Sequence, residues 1–92
     1  MTEDEKQNFI DIIESIKELR LRKTEDYGTS WKIFGLMGVV YQIMSKAIRI
    51  YNLTKDGKSP ANESLRDSFI DIANYGIMAA QLIDTKQTKP MI

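Results

Sequence analysis

The sequence contains no cysteine and no histidine. Without a thiol or an imidazole, the chain has no disulfide framework, no cysteine nucleophile, no serine–histidine relay and no zinc site of nitrogen and sulfur ligands. Any chemistry must therefore use carboxylates, lysines, tyrosines, hydroxyl groups or a metal ion that prefers oxygen ligands. Mg²⁺ and Mn²⁺ are such ions.

Net charge and long apolar runs are also lacking. Lys plus Arg and Asp plus Glu number 13 each, and no basic patch is present to hold a phosphate backbone. No apolar run approaches the roughly 20 residues of a bilayer span, and the acidic residues that follow Met1 are unlike a signal peptide. We therefore expect a soluble, cytoplasmic protein with neither a nucleic-acid polymer nor a membrane as partner.

The chain of 92 residues is short for a protein that must bury a core of its own. Small domains bury a small fraction of their surface, so contact with a second copy would stabilise this one. We expect one helical domain over residues 1–92, and we expect it to form a homo-oligomer.

The periodicity of apolar residues predicts three main helices and no strand. Thr2 and Glu5 have the spacing of a capping box, which starts a first helix over about 3–22. A second helix is predicted over about 36–52, a third over about 60–83, and a flexible tail over 84–92. The predicted fold is all-α: a small helical bundle of three main helices, completed by oligomerisation.

The third helix has an apolar stripe and an oxygen-rich stripe. The apolar positions recur every three or four residues: Leu65, Phe69, Ile72, Ala73, Gly76, Ala79, Ala80 and Ile83. The polar positions are Glu63, Asp67, Asp71 and Asn74. We expect the first stripe to face the core and the second to lie opposite. The second is either a solvated surface or a surface that meets a cation, which would be Mg²⁺ or the Lys and Arg of another helix.

Two further regions carry candidate site residues. Between Lys23 and Trp31 the helical period stops, and turn residues predict a loop in which Tyr27 and Trp31 either anchor the core or contact a ligand. On the second helix, Lys46 lies at the border of the apolar face. A lysine at such a border can lay its stem on the core and bring its ammonium to a neighbouring helix.

Together these segments resemble a family of small phage and bacterial proteins, the nucleotide modification associated domain 1 family. The resemblance covers about 16–82. It is carried by three ordered motifs: Lys23-x-x-Asp26-Tyr27-Gly28-x-Ser30-Trp31, Lys46-x-x-Arg49-Ile50, and Glu63-Ser-Leu-x-Asp67-x-x-x-Asp71-Ile-Ala-Asn74-Tyr75.

That family is itself similar to the MazG-like and dimeric dUTPase nucleoside triphosphate pyrophosphohydrolases, which are all-α and bind Mg²⁺ with two acidic pairs. The resemblance implies that Asp71 and Asn74, supported by Asp67, take the place of the second pair. Where the first pair is expected, this sequence has Lys46 and Arg49. We therefore lean slightly towards recognition without a metal.

Three functions are open at this point. In an enzyme, Asp67, Asp71 and Glu63 hold Mg²⁺ and basic residues hold the phosphates of a nucleoside triphosphate. In a binding protein that takes up or sequesters a nucleotide or a nucleotide-derived signal, the same basic residues contact phosphate and an aromatic ring stacks on the base. In a helical protein-interaction module, the cations and acids pair only for structure. The residues predicted to bind nucleotide or phosphate are Lys23, Asp26, Tyr27, Trp31, Lys46, Arg49 and Asn74.

Overall fold

The computed structural model describes residues 1–27, 33–55 and 62–85, including their side chains except those of 23–27 and 62–64. These residues form three α-helices and no strand: α1 (Glu3–Tyr27), α2 (Gly35–Thr54) and α3 (Asn62–Asp84). The all-α prediction with three main helices is confirmed. The predicted tail falls almost entirely outside the described residues.

The first turn of α1 is held by the predicted capping box. The backbone N–H of Glu5 donates to Thr2 Oγ1 at 3.1 Å, and the backbone N–H of Thr2 donates to Glu5 Oε1 at 3.2 Å. These two bonds satisfy donors that the helix itself leaves free.

The loop predicted from Lys23 onward is wrong for its first five residues, because α1 continues to Tyr27. Loss of the apolar period does not end a helix when the following residues tolerate helical geometry. Lys23 and Glu25 favour it, and neither Gly nor Pro occurs before Gly28.

Two glycines shape the beginning of α2. Gly35 has φ of 64°, in the left-handed region that a side chain would strain. At Gly38, a Cβ atom would lie 2.4 Å from Cβ of Phe34. The absence of a side chain at Gly38 therefore lets Phe34 lie against the first turn.

The core lies between α2 and α3, which run antiparallel. Val39 of α2 is buried in one cluster with Met78 and Leu82 of α3. Seven residues further along α2, Lys46 meets Asp71, seven residues before Met78 on α3. Equal steps in opposite directions fix the register of the two helices. The half-buried residues packed against this cluster are Ile43, Tyr75 and Ala79.

α1 makes far fewer contacts with α3 than α2 does. Ile16 is the buried hydrophobic residue of α1 among the described side chains. Arg20 Nη2 donates to Gln81 Oε1 on α3 at 2.7 Å, and burial lowers the pKa of the Arg20 guanidinium below its ordinary value. Arginine remains charged at neutral pH in spite of that shift. Phe9 and Ile13, which continue the apolar stripe of α1, are exposed.

The predicted core face of α3 is wrong for most of its residues, although Ala79 packs against the core cluster and Leu65 and Ile72 are half-buried. Phe69 and Ile83 are more than half exposed, and Ala73, Gly76 and Ala80 are also exposed. The residues of α3 that are buried lie about a quarter turn away: Ser68, Met78 and Leu82. Asp71 therefore lies at the edge of the contact with α2 instead of opposite the core. Periodicity locates an apolar stripe, but packing decides which stripe meets the neighbouring helix.

Among the described residues, no helix combines the length and the apolar character that a membrane crossing requires.

Candidate functional site

An ion pair joins the two central helices at the margin of their contact. Lys46 Nζ lies 2.9 Å from Asp71 Oδ2, and the two side chains are 28% and 38% exposed. The Lys46 ammonium thus reaches α3, as its border position predicts. The structure thus brings together one predicted phosphate-binding residue and one predicted metal ligand.

Asn74 lies one helical turn beyond Asp71 and therefore on the same side of α3. Its Oδ1 atom is buried and has no hydrogen-bond partner among the described residues. A buried amide oxygen without a donor is unfavourable by about 1–3 kcal/mol. Because the described residues cover this atom, an O–H or N–H group of a ligand could remove that penalty only if neighbouring side chains moved.

The remaining polar residues of the two helices flank the ion pair. Asp67 lies one turn before Asp71 and is exposed. On α2, Arg49 lies one turn after Lys46, and the antiparallel register sets it level with the part of α3 that contains Asp67. We call this strip, made of Lys46, Arg49, Asp67, Asp71 and Asn74, the polar edge.

Five of the predicted site residues cannot be placed at the polar edge by the structure. Lys23, Asp26 and Tyr27 belong to the last turns of α1 by their backbone, and their side chains lie outside the described residues, as does that of Glu63. Trp31 lies outside them altogether. Their assigned roles stay predictions.

The described side chains give little support to a metal site. They contain no group of three Asp or Glu residues positioned to hold a metal ion. Asp71 already meets the positive charge of Lys46, which opposes the binding of a second cation at that carboxylate.

Two polar features of the packing were missed in the sequence. Ser68 is 2% exposed, yet the sequence pattern placed it in neither the apolar nor the polar stripe of α3 and gave no reason to expect it to be buried. The bond from Arg20 to Gln81 was also missed, because the two residues are 61 positions apart and neither belongs to a local motif. Such a long-range partner becomes visible only in the packing of α1 against α3.

Comparison with protein families supplies a second kind of information. The family model described as Nucleotide modification associated domain 1 matches residues 23–83, which is about two thirds of the chain. The chain belongs to this family. The matched region includes all of α2 and nearly all of α3, so every residue of the polar edge lies within the Nucleotide modification associated domain 1. Most of α1 precedes it.

No curated protein and no solved structure matched the chain.

Proposed function

We propose that the protein binds a nucleotide or a nucleotide-derived signal through its phosphate, at the polar edge and without a metal ion. The observation that carries the proposal is the half-buried Lys46–Asp71 ion pair between two helices of the family domain. The name of that family associates it with nucleotide modification, which agrees with a nucleotide as ligand.

The position of Lys46 suits phosphate binding. One of its three N–H donors is directed to Asp71, which leaves two for a ligand. An ammonium group held by a carboxylate loses less freedom on binding than a mobile surface lysine does. The Lys17–Glu14 pair on α1 illustrates the contrast, because its atoms are 3.5 Å apart and its side chains are 62% and 53% exposed.

Asn74 adds a requirement for the rest of the ligand. Its buried Oδ1 atom needs a donor, and phosphate oxygens are acceptors unless protonated. Ribose hydroxyls and the exocyclic amines of bases are donors. A nucleotide offers both kinds of group, with its phosphate to Lys46 and a hydroxyl or amine to Asn74, whereas inorganic phosphate offers only the first.

The competing function is Mg²⁺-dependent hydrolysis of a nucleoside triphosphate by a MazG-like enzyme. That function needs Asp67, Asp71 and Glu63 to attract a divalent cation. In this structure the ammonium of Lys46 lies 2.9 Å from Asp71. Its charge disfavours Mg²⁺ at that carboxylate, and for this reason we favour binding over hydrolysis.

The proposal is tested by titration calorimetry in EDTA with nucleoside mono-, di- and triphosphates, cyclic nucleotides and ADP-ribose. We expect at least one of them to bind. Lys46→Met should weaken that binding on the order of 10- to 100-fold, because a hydrogen bond to a charged group contributes about 1.5–3 kcal/mol. Asp71→Asn should weaken it less, because the ammonium keeps its charge and loses only its orientation.

Lys17→Met is the matched control, since it removes a lysine that also pairs with an acid but lies outside the polar edge. Its affinity should equal that of the unmodified protein. The proposal is wrong if Lys17→Met and Lys46→Met bind the nucleotide with the same affinity, or if no compound in the panel binds. The ion pair would then be structural.

Hydrolysis is tested on the same proteins by chromatography of nucleoside triphosphates incubated with Mg²⁺. Release of pyrophosphate by the unmodified protein, lost in Asp71→Asn and in EDTA, would establish the enzyme instead of the binding protein.

A further inference from the structure

The charges of α2 and α3 limit how many phosphate groups the polar edge can hold. Lys46 and Arg49 are the charged residues of α2, whereas α3 has one basic and four acidic residues. With three basic and four acidic residues, the two helices together carry a net charge of −1. Within the polar edge, the two cations stand beside the carboxylates of Asp67 and Asp71, so that its charges sum to zero.

The ion pair in the polar edge attracts an anion only at short range. Lys46 Nζ and Asp71 Oδ2 lie 2.9 Å apart and carry opposite charges. A phosphate that contacts the ammonium is strongly attracted to it, but a second phosphate farther along the ligand is at similar distances from both charges. Because the Coulomb energy varies inversely with distance, the two effects largely cancel there. The pair can therefore hold one phosphate and adds little to the binding of a second.

Arg49, the other cation of the polar edge, is exposed and already takes part in an interaction of its own. The antiparallel register sets it level with the part of α3 that contains Asp67, whose carboxylate opposes the approach of another phosphate. Salt also screens charges at exposed positions more than at the half-buried pair. The described side chains of α2 and α3 thus provide no excess of positive charge at the polar edge.

A nucleoside di- or triphosphate brings more negative charge than the polar edge can neutralise. Sites for such ligands combine basic side chains with Mg²⁺, which together neutralise the phosphate chain. The binding proposed for this protein uses no metal ion, so the additional phosphates would have to be neutralised by side chains alone. A nucleotide with one phosphate does not have this requirement.

We infer that the nucleotide bound at the polar edge carries a single phosphate group, either as a nucleoside monophosphate or as a phosphodiester. The inference rests on the proposed function and adds the class of nucleotide to it. In both ligands, one phosphate contacts the Lys46 ammonium, and the sugar and base that follow are uncharged. Further phosphates would extend past the ion pair, where the charges of the described helices cancel.

Titration calorimetry of the full chain in EDTA tests the inference. The ligands are AMP, ADP and ATP, the same three compounds of guanosine, cytidine and uridine, and 3′,5′-cyclic AMP and GMP. For a nucleoside that binds, the three dissociation constants should agree within about threefold, whereas a further unneutralised cation would tighten binding on the order of 10- to 100-fold. Tighter binding of the cyclic nucleotide would assign the diester, and tighter binding of the monophosphate would assign the monoester.

Asp71→Asn sharpens the test, because it removes the carboxylate that cancels the charge of Lys46. In this variant, the affinity for the triphosphate relative to the monophosphate should rise on the order of tenfold. Asp84→Asn is the matched control, since it removes the same charge from an exposed position of α3. At 1.5 Å per residue it lies about 20 Å from Asp71, which exceeds the Debye length of about 8 Å. The control should leave the ratio of the two affinities unchanged.

Two results would overturn the inference and leave the proposed function in place. One is binding of the triphosphate to the unmodified protein in EDTA more than about tenfold tighter than binding of the monophosphate, because other cations would then hold the added phosphates. The other is the same ratio of affinities in Asp71→Asn and Asp84→Asn. If no nucleotide binds, the proposed function is wrong and so is the inference. The series measured on the unmodified protein decides the question even if Asp71→Asn does not fold.

Discussion

α1 and the α2–α3 pair consist of helices of similar length, 25 residues against 20 and 23, yet they are stabilised differently. The α2–α3 pair is formed by burial of Val39, Met78 and Leu82 around one cluster. α1 contributes Ile16 to burial and one hydrogen bond from Arg20 to α3, and its first turn is held by the local capping box. The candidate site lies on the more extensively packed pair of helices, α2 and α3.

This difference has a consequence for the free energy of unfolding. Substitutions in the α2–α3 pair should change the stability of the whole fold. Substitutions in α1 should change mainly the opening of α1, because a helix with few buried contacts can detach or fray while the rest persists.

The largest effect is expected at Leu82, which is fully buried. Leu82→Ala should lower the free energy of unfolding by about 2–5 kcal/mol, through lost burial and the cavity left behind. Urea denaturation followed by circular dichroism measures it. The neighbouring Ile83 is 58% exposed, so Ile83→Ala should have a much smaller effect. Equal losses in the two variants would contradict the position of the core.

A smaller effect is expected where α1 meets α3. Arg20→Met keeps the apolar stem and removes the donor to Gln81, which should weaken the docking of α1 by about 1 kcal/mol. Hydrogen exchange of backbone amides should become faster in α1 and stay unchanged in α2. Arg22→Met, at an exposed position two residues away, serves as control. Faster exchange throughout all three helices would show that α1 is an integral part of the core.

The smallest effect is expected at the capping box. Thr2→Ala removes the acceptor for the N–H of Glu5 and should destabilise the first turns of α1 by about 0.5–1 kcal/mol. Amide exchange near residues 3–8 measures the change, and Thr2→Ser, which keeps a hydroxyl, should restore slow exchange. A drop in the global unfolding midpoint with Thr2→Ala would mean that α1 and the α2–α3 pair unfold together.

The sequence predicted those features that depend on neighbours along the chain. Three helices follow from apolar periodicity, and the beginning of α1 follows from the spacing of Thr2 and Glu5. The end of α1 was predicted too early, because an apolar period reports on burial, and a helix can continue where that period stops. The family itself was identified from short ordered motifs, and it is shown by the match over 23–83.

For the candidate site, the sequence predicted residue types, and the structure supplied one specific contact. Lys46 at the border of an apolar face was expected to reach another helix, but its partner could not be read from α2 alone. Asp67, Asp71 and Asn74 all qualified, because each lies on the same stripe. The antiparallel register selects Asp71.

Local chemistry by itself therefore determined where helices form and which residues are available for recognition. Tertiary structure alone decided which stripe of α3 faces α2, which leaves Phe69 exposed and Ser68 buried. It also leaves Tyr41, Met44 and Ile48 of α2 exposed among the described residues. The physical reason is that hydrophobic burial is proportional to area and has no direction, so a helix with two apolar faces can pack by either one. The neighbouring helix decides which of the two faces is buried, and a local sequence pattern carries no information about that neighbour.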